Sequence, residues 1–266
     1  MLTTQSFFDL SDCPDSDLFS KDEYVWTPLN NLAEYLDSQS FDLFDDQLVR
    51  DGVPLSEHIV IHKGKTLSGD NCDILFGNTT QNELQVIKNG ERMEGASVIM
   101  AGAVLTGNRI GVGKGVLIEC GAMIKSPAKI GDCCEIRQGA YLRGYVLAGK
   151  RCVLGHTTEI KHSILLNDAK AGHFSYLGDS ILGNSTNLGA GTKFANLRFL
   201  PGNLTIFFNG ERIDTGRRKF GAILGDEAQT GCNSVTNPGT ILGKGAVLMP
   251  NGTARGGYHS DRSVLR

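Results

Sequence analysis

From Ile118 to Leu166 the chain reads I-E-C-G-A-M-I-K-S-P-A-K-I-G-D-C-C-E-I-R-Q-G-A-Y-L-R-G-Y-V-L-A-G-K-R-C-V-L-G-H-T-T-E-I-K-H-S-I-L-L. Ile118, Ile124, Ile130, Ile136, Leu142, Ala148, Leu154, Ile160 and Leu166 recur at a strict interval of six. Two residues earlier, Val116, Ala122, Ala128, Cys134, Ala140, Val146, Cys152 and Thr158 form a second lattice of small or β-branched side chains. An amphipathic helix needs apolar residues three and four apart, and an ordinary strand needs simple alternation; neither produces a period of six. A six-residue unit supplies one short strand and one tight turn. Three units close a triangular coil of about 18 residues that stacks on the next. The pattern predicts an all-β protein, a parallel β-helix of hexapeptide repeats.

Working outward, residues 1–56 are acidic and poor in glycine, and Pro28–Leu36 is amphipathic, so this stretch is expected to form a small helical cap. Residues 57–266 are assigned to the β-helix domain. Within it, His58–Gly64 is expected to open a coil, Asn89-Gly90 to make a hairpin turn, and the repeat register to slip between Gly178 and Leu182. Residues 198–218 interrupt the lattice. Leu204–Phe208, Asn209-Gly210 and Arg212–Asp214 read as an inserted β-hairpin, after which repeats resume at Leu224, Thr230, Thr236, Leu242 and Leu248.

The 34 glycines among 266 residues exceed the usual share of about 7%, as a turn in every hexad requires. A net charge of -3 without a polybasic tract gives no reason to expect a nucleic-acid partner. No apolar run approaches the ~20 residues of a membrane span, and the N-terminus lacks the pattern of a cleavable signal. A cytoplasmic location is expected. Seven cysteines fit that compartment without a disulfide framework. Cys134, Cys152 and Cys232 fall on or near the lattice as small hydrophobes, and Cys133 and Cys134 are expected to point to opposite sides of a strand.

Left-handed β-helices host several chemistries, so the site residues must decide. From Arg143 to Thr192 the sequence carries Lys-Ala-Gly-His-x-x-Tyr-Leu-Gly-Asp at 170–179 and Asn-x-Gly-Ala-Gly-Thr at 187–192. This stretch resembles the acetyltransferase domain of bacterial N-acetylglucosamine-1-phosphate uridyltransferase/glucosamine-1-phosphate acetyltransferase. The hairpin insertion with Arg217-Arg218-Lys219-Phe220-Gly221-Ala222, and Leu224-Gly225-Asp226 after it, resembles the archaeal sugar-1-phosphate nucleotidylyltransferases whose C-terminal domains acetylate amino sugars. In both relatives a nucleotidylyltransferase domain with a glycine-rich L-A-A-G-x-G-T-R-M loop precedes the β-helix. That loop does not occur in this sequence.

The resemblance implies a left-handed β-helix, homotrimeric, that transfers an acetyl group from acetyl-CoA to the amine of a sugar 1-phosphate, here of the glucosamine-1-phosphate type used in cell-envelope precursors. It implies His173 as general base, Arg143, Lys161 and Lys219 as a phosphate clamp, and Tyr176 as a phosphate-contacting hydroxyl. Asn187 and Asn196 are implied as sugar contacts, Glu159 as an acid lining the pocket, and Ala190, Gly191 and Cys232 as the stretch that receives the coenzyme. Two positions depart from the relatives: Leu197 stands for an aromatic and Cys232 for a serine. Independently of any family, the 18-residue interval between Arg143 and Lys161 stacks these two cations on one face of the solenoid. Other readings stay open: a non-catalytic regulatory or scaffold β-helix related to nucleotidylyltransferases, or a nucleotide-handling protein of that kind. A zinc site of the γ-carbonic-anhydrase type is disfavoured, because His156, His162 and His173 lie six and eleven residues apart, unlike that family's pattern, and no metal is expected.

Overall fold

A computed structural model describes residues 2–19 and 23–266. The repeats wind into a parallel β-helix of three faces. The first face includes Val153–His156, Lys170–His173, Asn187–Leu188 and Gln229–Thr230; the second includes Met123–Lys125, Tyr141–Arg143, Glu159–Lys161, Tyr176–Gly178 and Lys193–Phe194; the third includes Val146–Ala148, Ser163–Leu165, Ile181–Leu182 and Ala222–Leu224. Within each face, strands of successive coils pair in parallel, as with Tyr141 against Glu159 and Val146 against Ser163.

The interior follows from the two lattices. Ile118, Ile124, Ile130, Ile136, Leu142, Leu154 and Ile160 all lie at 2% exposure or less, with Ala122, Ala128, Cys134, Ala140 and Cys152 packed between them. Each fully buried Leu or Ile contributes about 1.5–3 kcal/mol, so a column of them accounts for most of the driving force. The lattice departs from expectation at Leu166. Leu165 turns inward, and Leu166 joins an apolar cluster on the outside. The cause is a corner one residue shorter: Val146 pairs with Ser163, 17 residues on, because His162 alone turns the chain where Gly144 and Tyr145 turned it one coil earlier. A second short corner at Asp179 moves the inward position from Leu177 to Leu182. Ahead of the insertion the register therefore slips twice, and a third short corner follows Ala254, where Thr240 pairs with Gly257, 17 residues on.

Two other expectations need correction. Ile59–His62 opens no coil; it pairs antiparallel with Lys65–Ser68 and Ser97–Ile99, closing the N-terminal edge of the first face with a hairpin at Lys63-Gly64. Cys232 is exposed at a turn instead of lying on the inward lattice, and Cys133 occupies a left-handed corner position while Cys134 is buried. The hairpins at Asn89-Gly90 and Asn209-Gly210 form as the sequence predicts, with both residues of each pair at positive φ.

The N-terminal residues lie along the third face. The helix Thr27–Ser38 starts with proline in its first turn and buries Leu29, Leu32 and Leu36 at helical spacing. With Phe7, Phe8 and Trp26 these cover the outward side chains Leu147, Ile164, Ile181, Ile223 and Ile241, and Leu204, Ile206 and Phe220 of the insertion complete the layer. Polar ties fix the segment: Lys150 meets Asp12 at 2.5 Å, Lys129 meets Asp15 at 2.6 Å, and Asp9 donates its amide to Asp226 at 2.7 Å. The first and second faces and the corner between them stay open across the central coils.

Candidate functional site

His173 ends the strand Lys170–His173 at the open corner between the first and second faces. It stacks in register on His156 of the preceding coil. The carbonyl of His173 accepts from the amide of Gly191 at 3.0 Å, and the carbonyl of Ala190 accepts from the amide of Asn233 at 2.8 Å. One corner column therefore runs from His156 through His173 to Ala190-Gly191 and Cys232-Asn233. Among the described residues the His173 ring is exposed and has no hydrogen-bond partner, whereas the His156 ring meets the carbonyl of Gln138 at 2.9 Å. Gly155 permits the tight stacking, since a Cβ there would fall on the carbonyl of Gly172.

Phe174 follows His173 directly, with φ of 51° and 53% of its surface exposed. A bulky residue in the left-handed region is strained. Its ring stands edge-on to His156 at 5.2 Å between centroids and lies 6.3 Å from His173.

The second face carries the charged candidates. Arg143 donates to Glu159 at 2.6 Å, and this contact holds the guanidinium pKa above its ordinary value. Both side chains are over a third exposed, so the pair contributes ~0–1 kcal/mol and is easily exchanged for another anion. Lys161 sits one rung beyond Arg143, as the spacing predicts, and has no carboxylate partner among the described residues. Tyr176 stands one rung beyond Glu159. Burial, reinforced by Glu159 and Asp179, pushes its phenol up, so it stays protonated and able to donate a hydrogen bond. Gly178 makes room for this arrangement: a Cβ there would lie 2.5 Å from the Asn196 amide nitrogen and 2.7 Å from the Tyr176 hydroxyl.

Asn196 is held from behind. Its side-chain nitrogen donates to Asp179 at 2.7 Å, while the other oxygen of Asp179 accepts from Arg217 at 3.1 Å and lies 3.5 Å from Nδ1 of His162. Arg217 also donates to Asn30 of the long N-terminal helix at 2.8 Å. Asp179, Arg217 and His162 thus knot together the two short corners, the insertion and the N-terminal segment. The sequence reading quoted Asp179 and Arg217 inside motifs without giving them a role. The shortened corners were the signal, because a one-residue turn puts His162 and Asp179 at equivalent positions of successive coils.

The other predicted positions divide. Lys219 pairs with Leu197 where the insertion rejoins the solenoid, with its side chain exposed. Asn187 is exposed on the first face, in the column of Lys170 and Gln229 and three positions back along the strand from the His173 corner. Arg143, Glu159, Lys161, Tyr176 and Asn196 are brought together on the second face and at its far corner. His173, Ala190, Gly191 and Cys232 are brought together on the near corner. Within one chain the width of the second face separates the two groups.

Residues 124–251 match the family model described as the GMPPB C-terminal domain. Over 111 residues, 42% of this chain, the protein is 39% identical to a bifunctional sugar-1-phosphate nucleotidylyltransferase/acetyltransferase of Sulfurisphaera tokodaii, covering 28% of that relative. Over 112 residues, also 42% of this chain, it is 37% identical to the bifunctional protein GlmU of Methanococcus vannielii, covering 27% of it. The matched stretch spans little more than a quarter of either relative. The solved structure of an Arabidopsis UDP-N-acetylglucosamine acyltransferase aligns over 64% of this chain and 72% of that one at 12% identity, with a TM-score of 0.26, a likeness too weak to argue from. Over less than half of its length this chain is thus similar in sequence to sugar-1-phosphate nucleotidylyltransferase/acetyltransferases.

Proposed function

We propose that this protein transfers an acetyl group from acetyl-CoA to the amine of an amino-sugar 1-phosphate of the glucosamine-1-phosphate type, with His173 as general base. The observation that carries the reading is an imidazole, exposed and unpartnered among the described residues, in line with a glycine-bearing corner column at one edge of the strand face that presents Arg143, Lys161 and Tyr176. His173 takes a proton from the amine as its nitrogen attacks the thioester carbonyl. The C–N bond forms, the C–S bond breaks, and the departing thiolate takes up a proton to leave as free coenzyme. Base catalysis of this kind is worth about 10²–10⁴ in rate. Arg143 and Lys161 hold the phosphate, the planar Arg fork gripping its oxygens. Tyr176 donates to it, and Asn196, locked by Asp179, contacts the sugar. Lys219, at the mouth of the insertion, completes the clamp, and Glu159 yields Arg143 to the incoming phosphate.

The pantetheine arm lies along the corner column past Ala190, Gly191 and Cys232, and Phe174 offers its exposed ring as an apolar shelf beside the thioester. Asn187, on the first face near the His173 corner, contacts the sugar of an acceptor held on the second face of a neighbouring copy. That assignment agrees with a homotrimer, since the third face is covered by the chain's own N-terminal segment, leaving neighbours to pack on the other two faces and their corner. In such an assembly the near corner of one chain closes onto the cation-bearing face of the next. The reaction places the protein in the cytoplasm, where acetyl-CoA and sugar phosphates are found.

The test is coenzyme A release from acetyl-CoA with glucosamine-1-phosphate and galactosamine-1-phosphate as acceptors. Acceptor-dependent release is expected with at least one of them. Its absence with both, from a folded sample, overturns the substrate class.

A further inference from the structure

The cation column on the second face is longer than one phosphate needs. Lys125 pairs in register with Arg143, and Met123 with Tyr141. Tyr141 stands between the two cations, with the Lys125 ammonium 5.4 Å and the Arg143 guanidinium 6.0 Å from its ring centre. Cation–π contacts of this kind fix where both charges sit. Lys125, Arg143 and Lys161 thus occupy three consecutive rungs, spaced about 4.8 Å, so the charged column runs for about 10 Å. Three cations face a single carboxylate, Glu159, which is engaged by Arg143; Asp179, at the next corner, is already engaged by Arg217. Neither Lys125 nor Lys161 has a carboxylate partner among the described residues. The column also has a direction. Asn196, where the sugar is placed, lies at its Lys161 end, beside the phosphate-contacting Tyr176. Lys125 lies at the opposite end, past Arg143, where only a group attached beyond the first phosphate reaches.

We propose that this face binds an acceptor whose amino sugar is carried on a diphosphate, as in a nucleoside-diphosphate amino sugar, with Lys161 and Arg143 on the phosphate next to the sugar and Lys125 with Arg143 on the second. The proposal rests on the acetyltransferase reading for its placement of the sugar. The anion column itself rests only on the register and the ring contacts. Tyr141, in contact with Lys125 and Arg143, lines the path of whatever follows the second phosphate.

Two measurements on the full-length protein test this. The first compares kcat/KM for an amino-sugar 1-phosphate with that for the matching nucleoside-diphosphate amino sugar, in wild type, Lys125→Ala and Lys125→Arg. The Ala variant is expected to lose about tenfold more with the diphosphate acceptor than with the monophosphate, the size of a charge-assisted contact, and Arg to restore most of it. The second titrates inorganic pyrophosphate and inorganic phosphate at low salt. Wild type is expected to bind pyrophosphate more tightly, and Lys125→Ala to erase that preference. Equal losses with both acceptors, or no pyrophosphate preference in wild type, overturn the proposal. Pyrophosphate preference that depends on Lys125, with no coenzyme release from any acceptor, upholds the anion column and overturns the acetyltransferase reading instead.

Discussion

Asp179 is the most exposed point of the account to a mutational test, although its carboxylate is almost sealed from solvent. Its side chain is 7% exposed and that of Arg217 12%, and burial holds the Arg217 guanidinium below its ordinary pKa. Asp179→Asn keeps a residue that tolerates the left-handed conformation found there, at φ of 52°, while removing the charge. The variant leaves Arg217 buried without a counter-charge, and the new amide confronts the Asn196 amide donor. Breaking a buried pair on one side costs about 3–5 kcal/mol. Because Arg217 keeps its bonds to Asn30 and to the carbonyl of Lys219, a loss near the lower end, about 3 kcal/mol, is expected. Arg217→Met in the same background should recover about 1–3 kcal/mol, since the two residues act as a unit. The assay is urea denaturation at fixed protein concentration, read as the midpoint at constant slope. A loss under ~1 kcal/mol for Asp179→Asn, or strictly additive effects in the double variant, refutes the view that this knot holds the corner together. In turnover, the same variant should raise KM for the amino-sugar acceptor more than KM for acetyl-CoA, because Asn196 loses its anchor.

The knot also makes a pH prediction. Burial pushes the His162 imidazole below its ordinary value, so as pH falls below about 6.5 the unfolded chain takes up a proton that the folded chain resists, and stability is lost on acidification; His162→Asn should flatten that slope in denaturation curves between pH 7 and 5, and an unchanged slope would contradict the assignment. Gly155→Ala should destabilise by about 3 kcal/mol or more, because the added methyl meets backbone and neither coil can yield, as chemical denaturation would record. Phe174→Asn should leave stability unchanged or raise it by up to ~1 kcal/mol, by relieving left-handed strain, while KM for acetyl-CoA rises severalfold. A stable, fully active Phe174→Asn protein would remove the shelf from the mechanism.

The fold was legible because its physics is local. A period of six fixes strand, turn and inward side chain together, and the stacking of Arg143 under Lys161 followed from counting alone. Counting failed where a corner lost a residue. Nothing local distinguishes Leu165 from Leu166, and the choice is made by His162 turning the chain in one residue and by the N-terminal segment covering the outer position. Ile59–His62 misled for a related reason: an apolar run followed by Lys-Gly suits a coil or a hairpin equally, and only pairing with Ser97–Ile99 decides. At the site, the motif around His173 could be read directly. Asp179 and Arg217 could not, because their importance lies in a contact across 38 residues that spans the insertion. Lys125 was hidden because it lies one coil before Arg143, where the site residues read from the sequence begin.

The most direct test of the central claim is to look for the N-acetylated product itself, by mass spectrometry, after incubating acetyl-CoA with glucosamine-1-phosphate and either wild type or His173→Ala. The account predicts acetylated sugar phosphate from wild type and a loss of about 10²–10⁴ in its rate of formation from a variant that unfolds at the same urea midpoint. Equal rates from the two folded proteins would contradict the assignment of His173 as the base.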